Sequence, residues 1–101
     1  MQYSLTIIIP VYNEEDNLLR VEEALLNYLK IASVKTSILF VNDGSTDKSL
    51  QLIEEICDRN SVFNFISLKE NKGLSTAIKA GFDTVESDLV GYMDADLQTS
   101  P

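Results

Sequence analysis

Short apolar runs rich in β-branched residues take turns along this chain with longer segments whose apolar residues recur at helical spacing. Leu5-Thr6-Ile7-Ile8-Ile9 is apolar on both faces, as a strand covered by helices on two sides requires, and Pro10 is expected to close it. Asn13 is then expected to cap a helix with Glu14, Glu15 and Asp16 in its first turn, and Leu18, Val21, Leu25, Tyr28 and Leu29 give a helical stripe to about Lys30. The pattern repeats with a second strand, Ser37 to Val41. A turn-and-cap cluster, Asn42-Asp43-Gly44-Ser45-Thr46-Asp47, follows it, with Ser45 or Thr46 as the cap. Leu50, Ile53, Ile56 and Cys57 then recur at helical spacing. Val62 to Leu68 predicts a third strand. Leu74, Ile78, Phe82 and Val85 predict a third helix that Gly81 weakens, and Leu89 to Met93 predicts a fourth strand.

Strands alternating with helices imply a parallel sheet with right-handed crossovers. The expected fold class is α/β, a Rossmann-like, doubly wound β-α-β-α-β-α-β sheet of order 3-2-1-4. Ligands of such sheets bind at the carboxyl ends of the strands, beside the switch point between strands one and four. With 101 residues, one core is expected and no second domain.

Composition excludes several chemistries. Sixteen acidic against eight basic side chains give a net charge of -8, which repels a phosphate backbone, so nucleic acid is not an expected partner. The absence of His, with one Cys, rules out imidazole triads and imidazole or thiolate metal cages within the chain. Cys57, among Ile53, Ile56 and Val62, is read as a structural thiol, and Glu22, Glu23, Glu54 and Glu55 as solvated helix faces. No basic leader and no apolar stretch of roughly 18 residues is present, so the expected location is cytoplasmic, or the cytoplasmic face of a membrane for a longer protein.

The polar residues gather where each predicted strand ends: Pro10-Val11-Tyr12-Asn13-Glu14, Asn42-Asp43-Gly44-Ser45, Asn71-Lys72-Gly73 and Asp94-Ala95-Asp96-Leu97-Gln98. Asp94 and Asp96, two apart after an apolar strand, can reach one rim. Hard cations such as Mg²⁺ or Mn²⁺ take such carboxylates together with substrate phosphates, and Gln98 adds an amide oxygen. The plain alternative is a solvated acidic turn. An acidic protein that holds a diphosphate needs a cation between the two sets of oxygens. Asp43 could accept from a nucleobase or ribose, Tyr12 could stack on a base or pack over the rim, and Lys72-Gly73 could offer a cation and a helix start to phosphate.

Together, Ile8-Ile9-Pro10-Val11-Tyr12-Asn13-Glu14, Val41-Asn42-Asp43-Gly44-Ser45-Thr46-Asp47, Asn71-Lys72-Gly73-Leu74 and Asp94-Ala95-Asp96-Leu97-Gln98 resemble the nucleotide-sugar-binding half of family 2 glycosyltransferases with the GT-A fold. The last run, followed by Pro101, is most similar to the dolichyl-phosphate mannose synthase-like, polyprenyl-phosphate branch. Two departures stand out: Asn42 where many members have Asp, and Ser100 before Pro101 where a second Pro is frequent.

The resemblance implies that Pro10, Tyr12 and Glu14 line a base and ribose pocket, that Val41 and Asp43 contact the nucleobase, and that Asp94, Ala95 and Asp96 border ribose and diphosphate. Asp96 and Gln98, with Asp94, would hold Mg²⁺ or Mn²⁺. Asp96 would assist the leaving group through that metal, and no catalytic base is assigned. The implied reaction is inverting transfer from a UDP- or GDP-linked sugar to a polyprenyl phosphate or glycan acceptor. GT-A domains are longer than this chain. Residues 1–101 are therefore expected to form the donor-binding part without the acceptor half, with little transfer alone and a bare fourth strand through which copies could associate. The competing readings are a non-catalytic nucleotide-binding module and a haloacid-dehalogenase-like phosphatase with Asp94 as nucleophile.

Overall fold

The computed structural model describes residues 3–95. Four parallel strands, β1 (Ser4–Val11), β2 (Lys35–Asp43), β3 (Phe63–Leu68) and β4 (Leu89–Tyr92), form one sheet in the order β3-β2-β1-β4. Helices α1 (Leu18–Ile31), α2 (Ser49–Arg59) and α3 (Leu74–Thr84) link them in turn, giving the expected α/β alternation and strand order. Successive strand residues point to opposite faces, and the core divides accordingly. Ile9, Val11, Ile38, Phe40 and Phe63 meet Leu18, Val21 and Leu25 of α1 and Ile53 and Ile56 of α2. On the other face Ile8, Leu39 and Val41 meet Ala77 of α3. The Phe40 and Phe63 rings lie 5.9 Å apart at 33°, a tilted pair that fills the space between β2 and β3 under α2.

Five local expectations are corrected. Pro10 does not close β1, which runs on to Val11 with Pro10 opposite Val41. The Met93 amide donates to the Ile8 carbonyl at 3.0 Å, so Ile8 faces β4; Pro10, two residues on, faces the same way where β4 has ended, and its missing N–H leaves no rung unmade. Likewise β2 continues through Asn42 and Asp43, which lie in the strand rather than in a turn.

Helix α1 starts at Leu18, not at Glu14, so Asn13 is not its cap and Glu14, Glu15 and Asp16 precede it. Helix α2 starts at Ser49, where the Ser49 amide donates to Asp47 Oδ1 at 2.8 Å; neither Ser45 nor Thr46 caps it. Helix α3 buries Ala77 and Gly81 rather than the stripe of larger residues, and leaves Leu74 and Phe82 exposed. A Cβ on Gly81 would lie 2.8 Å from the Ile8 side chain, so small residues let α3 settle closely on β1 and β2.

Candidate functional site

All four strands end on the same edge, and the loops that leave them enclose a cleft of about 240 Å³. Six residues singled out from the sequence line it: Pro10, Tyr12, Glu14, Asp43, Gly73 and Asp94. Three others lie elsewhere. Val41 is fully buried against α3, and Ala95 is 1% exposed within the cluster under α1 and α2, so neither side chain reaches the cleft. The Lys72 ammonium is exposed and paired with Glu70 at 2.7 Å. Asp96 and Gln98 lie outside the described residues. Val11, Asn71 and Leu74 also line the cleft; of these Asn71 carries a usable signal, since it opens the polar run that follows β3.

Asp43 organises the floor. Its residue is 4% exposed, and its carboxylate accepts from the Lys72 amide (2.8 Å), the Gly73 amide (3.0 Å) and Asn71 Nδ2 (3.2 Å). A carboxylate offers about four acceptor positions, so this cradle leaves about one for a ligand. Gly73 supports the cradle with φ 97°, a conformation that places its amide on Asp43 and that other residues rarely adopt. Asn42 Nδ2 donates to Ser67 Oγ at 2.9 Å, tying β2 to β3 just below. At Asn42, an amide therefore donates where a carboxylate could only accept.

Asn13 stands at φ 53° between two cleft residues, and its side chain turns away from the cleft to the loop that precedes α2, where Oδ1 accepts from the Thr46 amide at 2.8 Å. Asp47 takes part in the same loop contacts. Partial burial raises its pKa, but hydrogen bonds from Ser49 and Glu15 outweigh that and hold the carboxyl below its usual range. Cys57 is half-buried, and loss of solvent pushes its thiol up to about 11. It stays protonated near neutral pH, in keeping with a structural thiol.

The cleft's carboxylates come from Glu14, Asp43 and Asp94, and the exposed Asp94 stands two residues beyond the end of β4. This oxygen donor set suits a hard divalent cation rather than a soft one. Among the described residues, no group of three or more His, Cys, Asp or Glu side chains stands close enough to hold a metal by itself. Nor is any helix among them long and apolar enough to cross a membrane.

Residues 6–101 match the family model described as glycosyl transferase family 2. An uncharacterized glycosyltransferase of Synechocystis is 39% identical over the whole chain, which covers 32% of that protein. The undecaprenyl-phosphate 4-deoxy-4-formamido-L-arabinose transferase of Pseudomonas fluorescens is 43% identical over 98% of the chain and 29% of its own length. The chain thus spans about a third of the length of these relatives. A mannosyltransferase of Pyrobaculum calidifontis, solved with GDP-Man and Mn²⁺, superposes with a TM-score of 0.76 at 20% identity over 95% of this chain and 28% of its own. TarS of S. aureus superposes with a TM-score of 0.72 at 25% identity, over 95% of this chain and 28% of the solved one.

Proposed function

The chain belongs to glycosyl transferase family 2, and from that premise we propose that residues 1–101 form the donor-binding part of an enzyme that transfers a sugar, with inversion, from a UDP- or GDP-linked donor. The observation that carries this reading is the convergence of Pro10, Tyr12, Glu14, Asp43, Gly73 and Asp94 from all four strand ends on one cleft. At about 240 Å³ the cleft falls below the roughly 300–1,000 Å³ usual for a complete small-molecule site, which suits part of a donor better than the whole.

Tyr12, 46% exposed on the rim, offers its ring face to a base. Glu14 and the remaining acceptor position of Asp43, both lining the cleft, would accept from ribose hydroxyls or base N–H groups. Asp94, with Asp96 and Gln98 from the segment that follows, would hold Mg²⁺ or Mn²⁺, which when bound neutralises the departing diphosphate. The Mn²⁺ and GDP-Man of the Pyrobaculum structure support metal use and a nucleotide-sugar donor. The named substrate of the Pseudomonas relative favours a polyprenyl phosphate over a glycan as acceptor. Such an acceptor is already anionic near neutral pH and needs no dedicated base.

In this reading the enzyme works at the cytoplasmic face of a membrane. The β4 edge, which has no further strand beside it among the described residues, is where further structure or a second copy would pair. Isothermal titration of UDP and GDP, with and without Mn²⁺, tests the site. Heat that requires Mn²⁺ is expected for one nucleotide, whereas heat independent of metal, or none with either nucleotide, counts against it.

A further inference from the structure

We propose that Asn13 and Ser49 are positioning residues for the cleft: together they hold the β1–α1 loop, and with it Tyr12 and Glu14, against the β2–α2 loop. The ligand-related part of this proposal rests on the donor-binding reading above.

Three consecutive amides of the first loop donate into the second loop and the first residue of α2. Asn13 N–H reaches Ser45 Oγ (3.0 Å), Glu14 N–H reaches Ser49 Oγ (2.8 Å) and Glu15 N–H reaches Asp47 Oδ2 (3.3 Å). Three consecutive amides of the second loop donate back. Those of Thr46 (2.8 Å) and Asp47 (3.3 Å) reach Asn13 Oδ1, and that of Lys48 reaches Glu15 Oε1 (3.1 Å). Two loops with no regular structure of their own thus satisfy each other's backbone, which otherwise would need water or a helix.

Two members of this brace cannot be replaced casually. Asn13 holds φ 53°, a left-handed conformation that Asn and Asp tolerate far better than most residues. That conformation lets one residue turn its side chain toward Thr46 while its neighbours on both sides, Tyr12 and Glu14, line the cleft. Ser49 is a polar residue at 0% exposure, and its hydroxyl accepts from the amide of a cleft residue. Neither Asn13 nor Ser49 lines the cleft. Their influence on a ligand therefore passes through Tyr12 and Glu14.

The test uses the whole chain with Asn13→Gly, which keeps the left-handed backbone and removes the acceptor, Asn13→Asp, which keeps both, and Ser49→Ala. Amide hydrogen exchange reads the brace, and titration with UDP and GDP in the presence of Mn²⁺ reads the cleft. Asn13→Gly is expected to deprotect the Thr46 and Asp47 amides and to weaken nucleotide binding about tenfold, the equivalent of one hydrogen bond's worth of loop order. Asn13→Asp should restore both to within about threefold. Ser49→Ala should deprotect the Glu14 amide; should it fail to fold, the two Asn13 variants decide. A variant that loses thermal stability but binds nucleotide as the wild type does, at a temperature well below its midpoint, overturns the positioning role. Wild type that binds neither nucleotide sinks the donor-binding reading and the positioning role with it, and unchanged protection of Thr46 and Asp47 in Asn13→Gly sinks the brace itself.

Discussion

At Gly44 the backbone turns through φ 69°, and a Cβ there would stand 2.3 Å from both the Asn71 amide nitrogen and the Glu70 carbonyl carbon. Those are backbone atoms and cannot swing aside, so a side chain at this position must push the β3–α3 loop away from β2. Gly44→Ala combines a left-handed alanine with a collision, together about 2–4 kcal/mol. It is expected to lower the unfolding free energy by that amount in urea titrations, and to strip exchange protection from the Lys72 and Gly73 amides that Asp43 holds. Retained protection of those two amides would show that the Asp43 cradle does not depend on the approach of Gly44. At this scale the sequence was informative about identity and less so about partners. A Gly after Asn42-Asp43 reads as a turn, whereas its contact with residues 70 and 71 depends on a neighbour that only the fold supplies.

Among the elements, α1 and α2 are tied by a charged contact between helix faces. The Glu22 carboxylate accepts from Arg59 Nε (2.9 Å) and Nη2 (2.6 Å) and from Asn60 Nδ2 (2.8 Å), and the Glu22 residue is only 8% exposed. The hydrogen bonds from Arg59 outweigh the opposing effect of burial and hold the Glu22 carboxyl below its usual value of 4.5. A carboxylate with a depressed folded-state pKa contributes stability that is fully present above 4.5 and fades as pH falls through the folded value. Glu22→Gln should therefore lower the melting midpoint by roughly 5 °C near neutral pH, with the difference from wild type closing as the solution is acidified below the carboxylate range. A difference that persists unchanged at low pH would mean that packing, not charge, accounts for the loss.

Reading Glu22 as solvated overlooked its place at i+4 from Leu18, in line with the buried stripe. Related causes account for the other corrections. Acidic residues before α1 look like a first turn, but their amides are engaged by the neighbouring loop. The largest apolar residues of α3 suggest its buried face, but closeness to Ile8 selects Ala77 and Gly81 instead. Strand order and the alternation of elements, by contrast, follow from local pattern and chain topology, and the six cleft residues follow from their place at the strand ends.

For the whole molecule, a net charge of -8 surrounds a cleft whose own ionisable side chains are acidic, and a nucleoside diphosphate arrives with further negative charge. Without a cation the protein's field opposes the ligand. That opposition reaches across the molecule at low salt, where the screening length is about 30 Å at 0.01 M, and shrinks to about 8 Å at 0.15 M. Metal-free titrations with UDP or GDP should therefore strengthen as NaCl rises over this range, which is the reverse of the behaviour of a basic phosphate site. With Mn²⁺ present the ligand's charge is largely offset, so affinity should change less and the gap between the two conditions should narrow. Metal-free binding that weakens on adding salt would mean that a local positive field outweighs the acidic surface. In that case a bridging cation would no longer be needed to reconcile this chain with a diphosphate.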